Sequence, residues 1–324
     1  MLDLALADLD AAAALIRARG VPETPQYAWP LLAERTGCEV VLKHENHTPT
    51  GAFKVRGGVT YLDHLAKSGG CKGIATATRG NHGQSIPYAA AAHGIPVEVW
   101  VPHGNSVEKN AAMRAWGAEL VVHGRDFEEA RAACAASAED RGLHLIPPFH
   151  RELVRGVATY AVELLRNSGP LDAIYVPVGM GSGAVGCGLA RDLLGAPTEV
   201  VGVVSAHADA YARSFERGEI VTTETAVTLA DGMACRAPWA EPLDILRKGL
   251  ARMVRVTDDE VAEAMRTLYA DTHNLAEGAG AAPFAALMQE RERLAGKRAA
   301  AILCGGNVDS AVFAEVLAGR TPKP

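Results

Sequence analysis

Four short segments carry residues able to do chemistry. The first is His-Glu-Asn-His-Thr-Pro-Thr-Gly-Ala-Phe-Lys-Val-Arg-Gly-Gly, residues 44–58. Its Lys54 stands between Phe53 and Val55, just past a Thr-Pro-Thr-Gly turn. One reading is an ordinary helix-start lysine with its ammonium in water. The other is a partly desolvated amine, whose lowered pKa frees the lone pair for Schiff-base chemistry. The segment alone does not choose. The second, Ala-Thr-Ala-Thr-Arg-Gly-Asn-His-Gly-Gln-Ser (75–85), follows an apolar run. Gly80 and Gly83 allow a sharp turn whose amides, at a helix start, favour an anion such as a carboxylate. A plain strand-to-helix loop also favours Gly and Asn.

The third segment, Val-Pro-Val-Gly-Met-Gly-Ser-Gly-Ala-Val-Gly (176–186), offers backbone amides and the Ser182 hydroxyl to a phosphate. Gly181, Gly183 and Gly186 also spell a dinucleotide fingerprint in a strand-to-helix context. That fingerprint needs an acid at the end of the next strand. Val-Val-Gly-Val-Val-Ser (200–205) ends without one, and Asp209 comes too late. A single-phosphate cradle is the preferred reading; glycines kept for close helix–strand packing are the structural alternative. In the fourth, Ala-Ile-Leu-Cys-Gly-Gly-Asn-Val-Asp-Ser (301–310), Cys304 ends a strand, where a small core residue would also fit.

The elements that position these segments follow from hydrophobic patterning. Strands are expected at 39–45, 72–78, 97–102, 119–124, 173–179, 200–205 and 301–306, most of them apolar on both faces. Helical runs lie between them. Val154, Val157, Ala161, Leu164 and Leu165 repeat at helical spacing, and Thr257 with Glu260 forms a capping box. Such alternation predicts an α/β fold with two lobes, each a mostly parallel sheet with helices on both faces. A small lobe is expected at 73–148, set into a larger lobe of 1–72 and 149–324, with Pro147–Pro148 near the break.

Composition narrows the function. With 48% apolar and 22% charged residues the chain can fill a sizeable core, which excludes wholesale disorder. A net charge of −6 with no basic block argues against nucleic acid or an anionic membrane as partner. The six cysteines are widely dispersed and form no CxxC, so neither a zinc ribbon nor a disulfide framework is expected. Asp3, Asp8 and Asp10 spoil an export signal, and no stretch suits a membrane span. A cytoplasmic protein is expected.

Taken together and in this order, the four segments resemble the fold type II (tryptophan synthase β-like) pyridoxal-phosphate enzymes. The closest branch is that of threonine/serine dehydratases and serine racemases, with phenylserine dehydratase-like members. The resemblance runs from about residue 20 to about residue 310. It implies pyridoxal 5'-phosphate in the cleft between the lobes, bonded through its aldehyde to Lys54, which also shuttles the α-proton. It places Phe53 beside the cofactor ring and Asn81 as a donor to the ring 3'-oxygen. The loop Thr78, Arg79, Gly80, Asn81 and His82 would grip the substrate. Gly179, Met180, Gly181, Ser182 and Gly183 match the phosphate loop. Cys304 falls against the pyridine nitrogen, and such a neutral partner favours elimination over transamination. Glu277 matches an acidic position near the cofactor, although a helix-start glutamate is an equally good account.

Two departures from the pattern matter. Where serine racemases carry a second-face serine, this chain has Arg79. A guanidinium cannot act as a general base, so weak or absent racemisation is expected. Arg79 could act on a leaving hydroxyl, hold a second substrate anion or point to solvent. The branch's metal carboxylate positions hold Val204 and Ala210, and Asp209 alone is too few oxygens, so no family-type metal site is expected. The chain ends at Pro324, soon after Asn307, so no C-terminal regulatory domain is expected either.

The resulting expectation is dehydration and deamination of a β-hydroxy-α-amino acid such as threonine or serine, in a homodimer or homotetramer. A bulkier or acidic substrate, β-phenylserine or 3-hydroxyaspartate, is the alternative. A nucleotide-dependent oxidoreductase would use the glycines of 181–186 but leaves Lys54 without a role. A non-catalytic ligand-binding relative is the third possibility.

Overall fold

A computed structural model of the chain describes residues 2–323. Among them are ten strands: β1 (Gln26–Ala28), β2 (Glu39–His44), β3 (Ile74–Ala77), β4 (Val97–Val101), β5 (Glu119–Val122), β6 (His144–Leu145), β7 (Ala173–Pro177), β8 (Glu199–Ser205), β9 (Arg252–Val256) and β10 (Arg298–Leu303). One sheet has the order β1-β2-β10-β7-β8-β9, the other β5-β4-β3-β6. Among these strand pairs only β1–β2 is antiparallel. The fold is therefore α/β with two mostly parallel sheets. The strands β2, β7, β8 and β10 are buried on both faces and mostly apolar, as helix-covered parallel strands are, with Lys43 and His44 of β2 as buried polar exceptions.

Three strands lie outside the apolar runs read from the sequence. β1 and β6 are too short to show a period. β9 reads Arg-Met-Val-Arg-Val, with charges that suggest a surface segment. It is the last strand of the larger sheet, and its arginines are neutralised by neighbours. Arg252 pairs with Glu199 and Glu290, and Arg255 with Asp209 and Glu216.

The smaller sheet draws its four strands from one continuous stretch, and the larger sheet from both ends of the chain. The core of the smaller sheet reaches beyond residues 73–148. Ile16, Val21, Val55, Val59, Leu62 and Leu153 also pack into it. The Lys54–Lys67 helix thus lies against the small sheet's helices as well as the large lobe. Its two glycines make this possible. A Cβ on Gly57 would sit 2.8 Å from the Leu153 carbonyl oxygen, and one on Gly58 2.7 Å from that of Ser85. Such overpacking costs roughly 1–3 kcal/mol.

This topology places the chemistry. β2, β10 and β7 are neighbours, and the loops after them carry the Lys54 turn, the Cys304 segment and the Gly179–Ser182 loop. The loop after β3 carries Arg79–His82 from the other sheet. All four leave the C-terminal ends of parallel strands and meet in one cleft, where α/β sheets bind ligands.

Candidate active site

The turn before Lys54 is locked to the segment after β10. The Phe53 amide donates to the Cys304 carbonyl at 3.0 Å, and the Gly306 amide to the Gly51 carbonyl at 2.9 Å. The Asn307 side-chain amide donates to the Thr50 carbonyl at 2.8 Å. Gly51 has φ 68°, and a Cβ there would lie 2.6 Å from Asn307 Oδ1. Only glycine meets both demands. The Lys54–Lys67 helix then begins at the cleft floor.

Lys54 Nζ lies 3.3 Å from Ser182 Oγ and 4.9 Å from the Phe53 ring centre. Burial pushes its pKa down to about 8, with only a small opposing pull from Cys304. Lys54 is half-buried, and its lowered pKa agrees with the second of the two readings, the partly desolvated amine. Cys304 is buried at the end of β10, and burial pushes its thiol well above its usual range, so it is neutral. Phe53 is buried edge-on against Tyr160.

The Gly179–Gly183 loop passes close to other backbone. A Cβ on Gly179 would come 2.5 Å from the Gly232 carbonyl oxygen, and Gly181 has φ 92°. Ser182 is buried and opens the Ser182–Leu194 helix, whose first amides face the cleft's anion position. Gly186 serves packing instead: a Cβ there would lie 3.1 Å from Ala158 Cα in the Arg151–Asn167 helix. The third glycine of the apparent dinucleotide fingerprint is therefore a helix–helix contact. The Asp209 carboxylate is held by Arg213 at 2.7 Å and Arg255 at 3.0 Å. An unprotonated-prone lysine, a one-phosphate cradle, an apolar ring flank and a neutral thiol fit pyridoxal phosphate. Lys54 would hold its aldehyde, the Gly179–Gly183 loop its phosphate and Cys304 its ring nitrogen.

On the opposite wall, the Asn81–Ala91 helix opens with amides of Asn81 and His82 that have no acceptor among the described residues. The Thr78 hydroxyl accepts the Gly80 amide at 3.0 Å. Burial drives the His82 pKa down to about 3, aided by Lys54, so its imidazole is neutral. The Asn81 side chain donates to Glu277 Oε1 at 2.6 Å and accepts from Asn307 at 2.8 Å. Its one remaining N–H is what it can offer a ligand oxygen.

Glu277 stands at a helix start and also lines the cleft. It is the N-cap residue of the Gly278–Gln289 helix, yet its side chain does not cap. The carboxyl turns into the cleft, 1% exposed, and burial raises its pKa against the pull of Lys109. Lys109 Nζ lies 3.4 Å from Glu277 Oε2 and 2.6 Å from Asp231 Oδ2. Burial opposes the Lys109 charge, but the two carboxylates outweigh it and raise its pKa. Neither Lys109 nor Asp231 was found from the sequence. Lys109 sits in the Val107–Ala115 helix and Asp231 in a short 3-10 turn, and no local pattern turns either inward.

Arg79 also lines the cleft, together with Phe127, Pro148 and Met180. Its Nε is buried without a hydrogen-bond partner. The residue as a whole is half-buried, and its Nη groups have no hydrogen-bond partner among the described residues. The cleft and the open solvent at its mouth together span about 1040 Å³ of empty space.

Known proteins share this layout. A family model described as pyridoxal-phosphate dependent enzyme matches residues 18–305. An L-threonine ammonia-lyase of Geobacter sulfurreducens is 35% identical over 86% of this chain and 69% of its own length. An L-threo-3-hydroxyaspartate ammonia-lyase of Saccharomyces cerevisiae is 31% identical over 94% of each chain. The crystal structure of a T.th. threonine deaminase superposes with a TM-score of 0.87 at 33% identity, covering 94% of this chain and 99% of that one.

Proposed function

The chain belongs to the pyridoxal-phosphate dependent enzymes, and from that premise we propose that it is an ammonia-lyase dehydrating β-hydroxy-α-amino acids to 2-oxo acids and ammonia. The observation that carries this reading is the Lys54 amine, with a pKa near 8, 3.3 Å from Ser182 in the phosphate cradle and facing a neutral Cys304. Pyridoxal phosphate, when bound, supplies an electron sink for the substrate α-carbon. The chain's residues do the rest. The amides of Asn81 and His82, with the Thr78 hydroxyl, hold the α-carboxylate at a helix N-terminus. Lys54 Nζ takes the α-proton and, as the ammonium, donates to the departing hydroxyl. The neutral thiol of Cys304 leaves the ring nitrogen without a charged partner, which supports elimination over transamination. Arg79 cannot deliver a proton from a second face, which supports little racemisation.

Relatives named for threonine put threonine and serine on the substrate panel. The relatives named for 3-hydroxyaspartate favour an acidic substrate as the second reading. We place the reaction in the cytoplasm, in a homodimer or homotetramer; among the described residues no helix is long and apolar enough to cross a membrane. Light scattering that gives a monomer-sized particle at every concentration overturns the oligomer. The reaction is tested by the visible spectrum of the purified protein and by assay of 2-oxo acid and ammonia over a panel of β-hydroxy amino acids. A yellow band altered in Lys54→Ala, with both products released in equal amounts, is the expected result. A protein that stays colourless with added pyridoxal phosphate sinks the proposal.

A further inference from the structure

The cleft holds three cations and three acids, and their pairing is uneven. Lys54 faces Ser182. Lys109 is taken by Asp231 and Glu277. The third acid, Glu128, pairs with Arg131 at 3.0 Å. Arg79 has no acid partner among the described residues, and its buried Nε–H has no acceptor of any kind. A guanidinium is charged at every working pH. It lines a cleft shared with Phe127, Pro148 and Met180, half-buried with its Nε shut off from water, and has no counter-charge there.

We propose that Arg79 selects a second carboxylate on the substrate's β-carbon, which makes β-hydroxy-α-amino dicarboxylates of the 3-hydroxyaspartate type the substrate class. This rests on the elimination chemistry proposed above. Arg79 stands one residue before Gly80 and two before Asn81, whose amide opens the α-carboxylate site. A substrate held there by its α-carboxylate extends its β-carbon within reach of the neighbouring arginine. The nature of the unpartnered atom narrows the guest. Nε is the inner arm of the guanidinium's side-on fork, which a carboxylate meets with two parallel bonds, through Nε and Nη. A departing hydroxyl has a single oxygen and cannot meet Nε and Nη with two parallel bonds. An aryl group covers the face of the guanidinium and leaves Nε–H without an acceptor.

The test compares kcat/KM for threo-3-hydroxyaspartate, threonine, serine and β-phenylserine in the holoenzyme, in Arg79→Gln and in Arg79→Lys. The holoenzyme is expected to prefer 3-hydroxyaspartate. In Arg79→Gln the preference over threonine falls about 100-fold, mainly through KM, and Arg79→Lys recovers only part of it because its point charge lacks the fork. Calorimetric titration with succinate gives a readout apart from turnover: binding weakens at least about 30-fold in Arg79→Gln. The cofactor band and melting temperature show whether each variant folds. A holoenzyme that prefers threonine or phenylserine, or a ratio unchanged in Arg79→Gln, overturns the assignment. If no β-hydroxy amino acid is consumed, it is the elimination reading that fails. Succinate binding that is equal in both proteins then still overturns the role of Arg79.

Discussion

Lys54 and Arg56 stand two residues apart on one helix and face opposite electrostatic surroundings. Behind the helix, Arg56 is buried in a closed cluster. It holds Glu45 through Nε at 2.7 Å and Nη2 at 2.9 Å, and Glu163 through Nη1 at 2.7 Å and Nη2 at 2.9 Å. Thr159 accepts from it at 3.0 Å, and Lys43 completes the set with a 2.7 Å contact to Glu163. Two cations meet two anions, and no atom of these charged groups lacks a partner. In front of the helix, Arg79 Nε, His82 Nε2 and Glu277 Oε2 are buried without hydrogen bonds. Buried charge is tolerated when paired and costs several kcal/mol when not. The closed cluster is thus what the scaffold needs to fix the Lys54 helix, and the open set is what the cleft keeps for ligands.

The sharpest break of that comparison is a pair of substitutions. Lys54→Ala is expected to lower turnover by about 10⁴-fold or more, since both the covalent hold and the α-proton acceptor go. The melting temperature of the cofactor-free protein should not fall, because removing a half-buried amine relieves a desolvation cost. Arg56→Met should do the reverse at the level of the fold. Leaving Glu45 and Glu163 short of a partner costs about 3–5 kcal/mol, read by urea unfolding. If Lys54→Ala unfolds the protein, or Arg56→Met leaves its stability intact, the division into scaffold and ligand charges is wrong.

How much of this was legible in the sequence follows the range of the interactions. Seven strands could be read because apolar runs are local. The four loops could be read because each motif packs its chemistry into a few consecutive residues. Lys109 could not be read, because it looks like any cation on an amphipathic helix, and its partner Asp231 lies 122 residues away. The Arg56 cluster was hidden for the same reason: Glu163 is 107 residues from Arg56. Gly186 shows the opposite case, a local pattern open to two readings. Its spacing imitates a dinucleotide loop, whereas its place is set by the approach of the Ser182–Leu194 helix to Ala158 of the Arg151–Asn167 helix.

The comparison also sets a pH dependence. The Lys54 ammonium is disfavoured by burial, which lowers its pKa from 10.5 to about 8. Only the free amine attacks an aldehyde. The rate at which cofactor-free protein takes up pyridoxal phosphate should therefore rise tenfold per pH unit below about 8 and level off above it. His82, with a pKa near 3, is neutral throughout that window. A rate that keeps climbing towards pH 10 would mean that Lys54 is solvated like a surface lysine, and the front of the helix would lose its distinction.

The smallest effect is expected where the two regions touch. Tyr160 follows Thr159 of the closed cluster, stacks edge-on against Phe53, and donates its hydroxyl to the Gly183 carbonyl at 3.2 Å. Its phenol is buried, and burial keeps it protonated. Tyr160→Phe keeps the ring contact and removes the hydroxyl's hydrogen bond to Gly183 and its weak one to Cys187 Sγ at 3.4 Å, so a loss of about 0.5–1.5 kcal/mol in urea unfolding is expected. Cofactor affinity should change less than about threefold, because the cradle binds through amides, and the Gly183 carbonyl points away from them towards the scaffold. A drop in affinity beyond tenfold would show that the scaffold's hydrogen bond aims the phosphate loop, and that the border between the two regions runs through the Ser182 helix rather than behind Lys54.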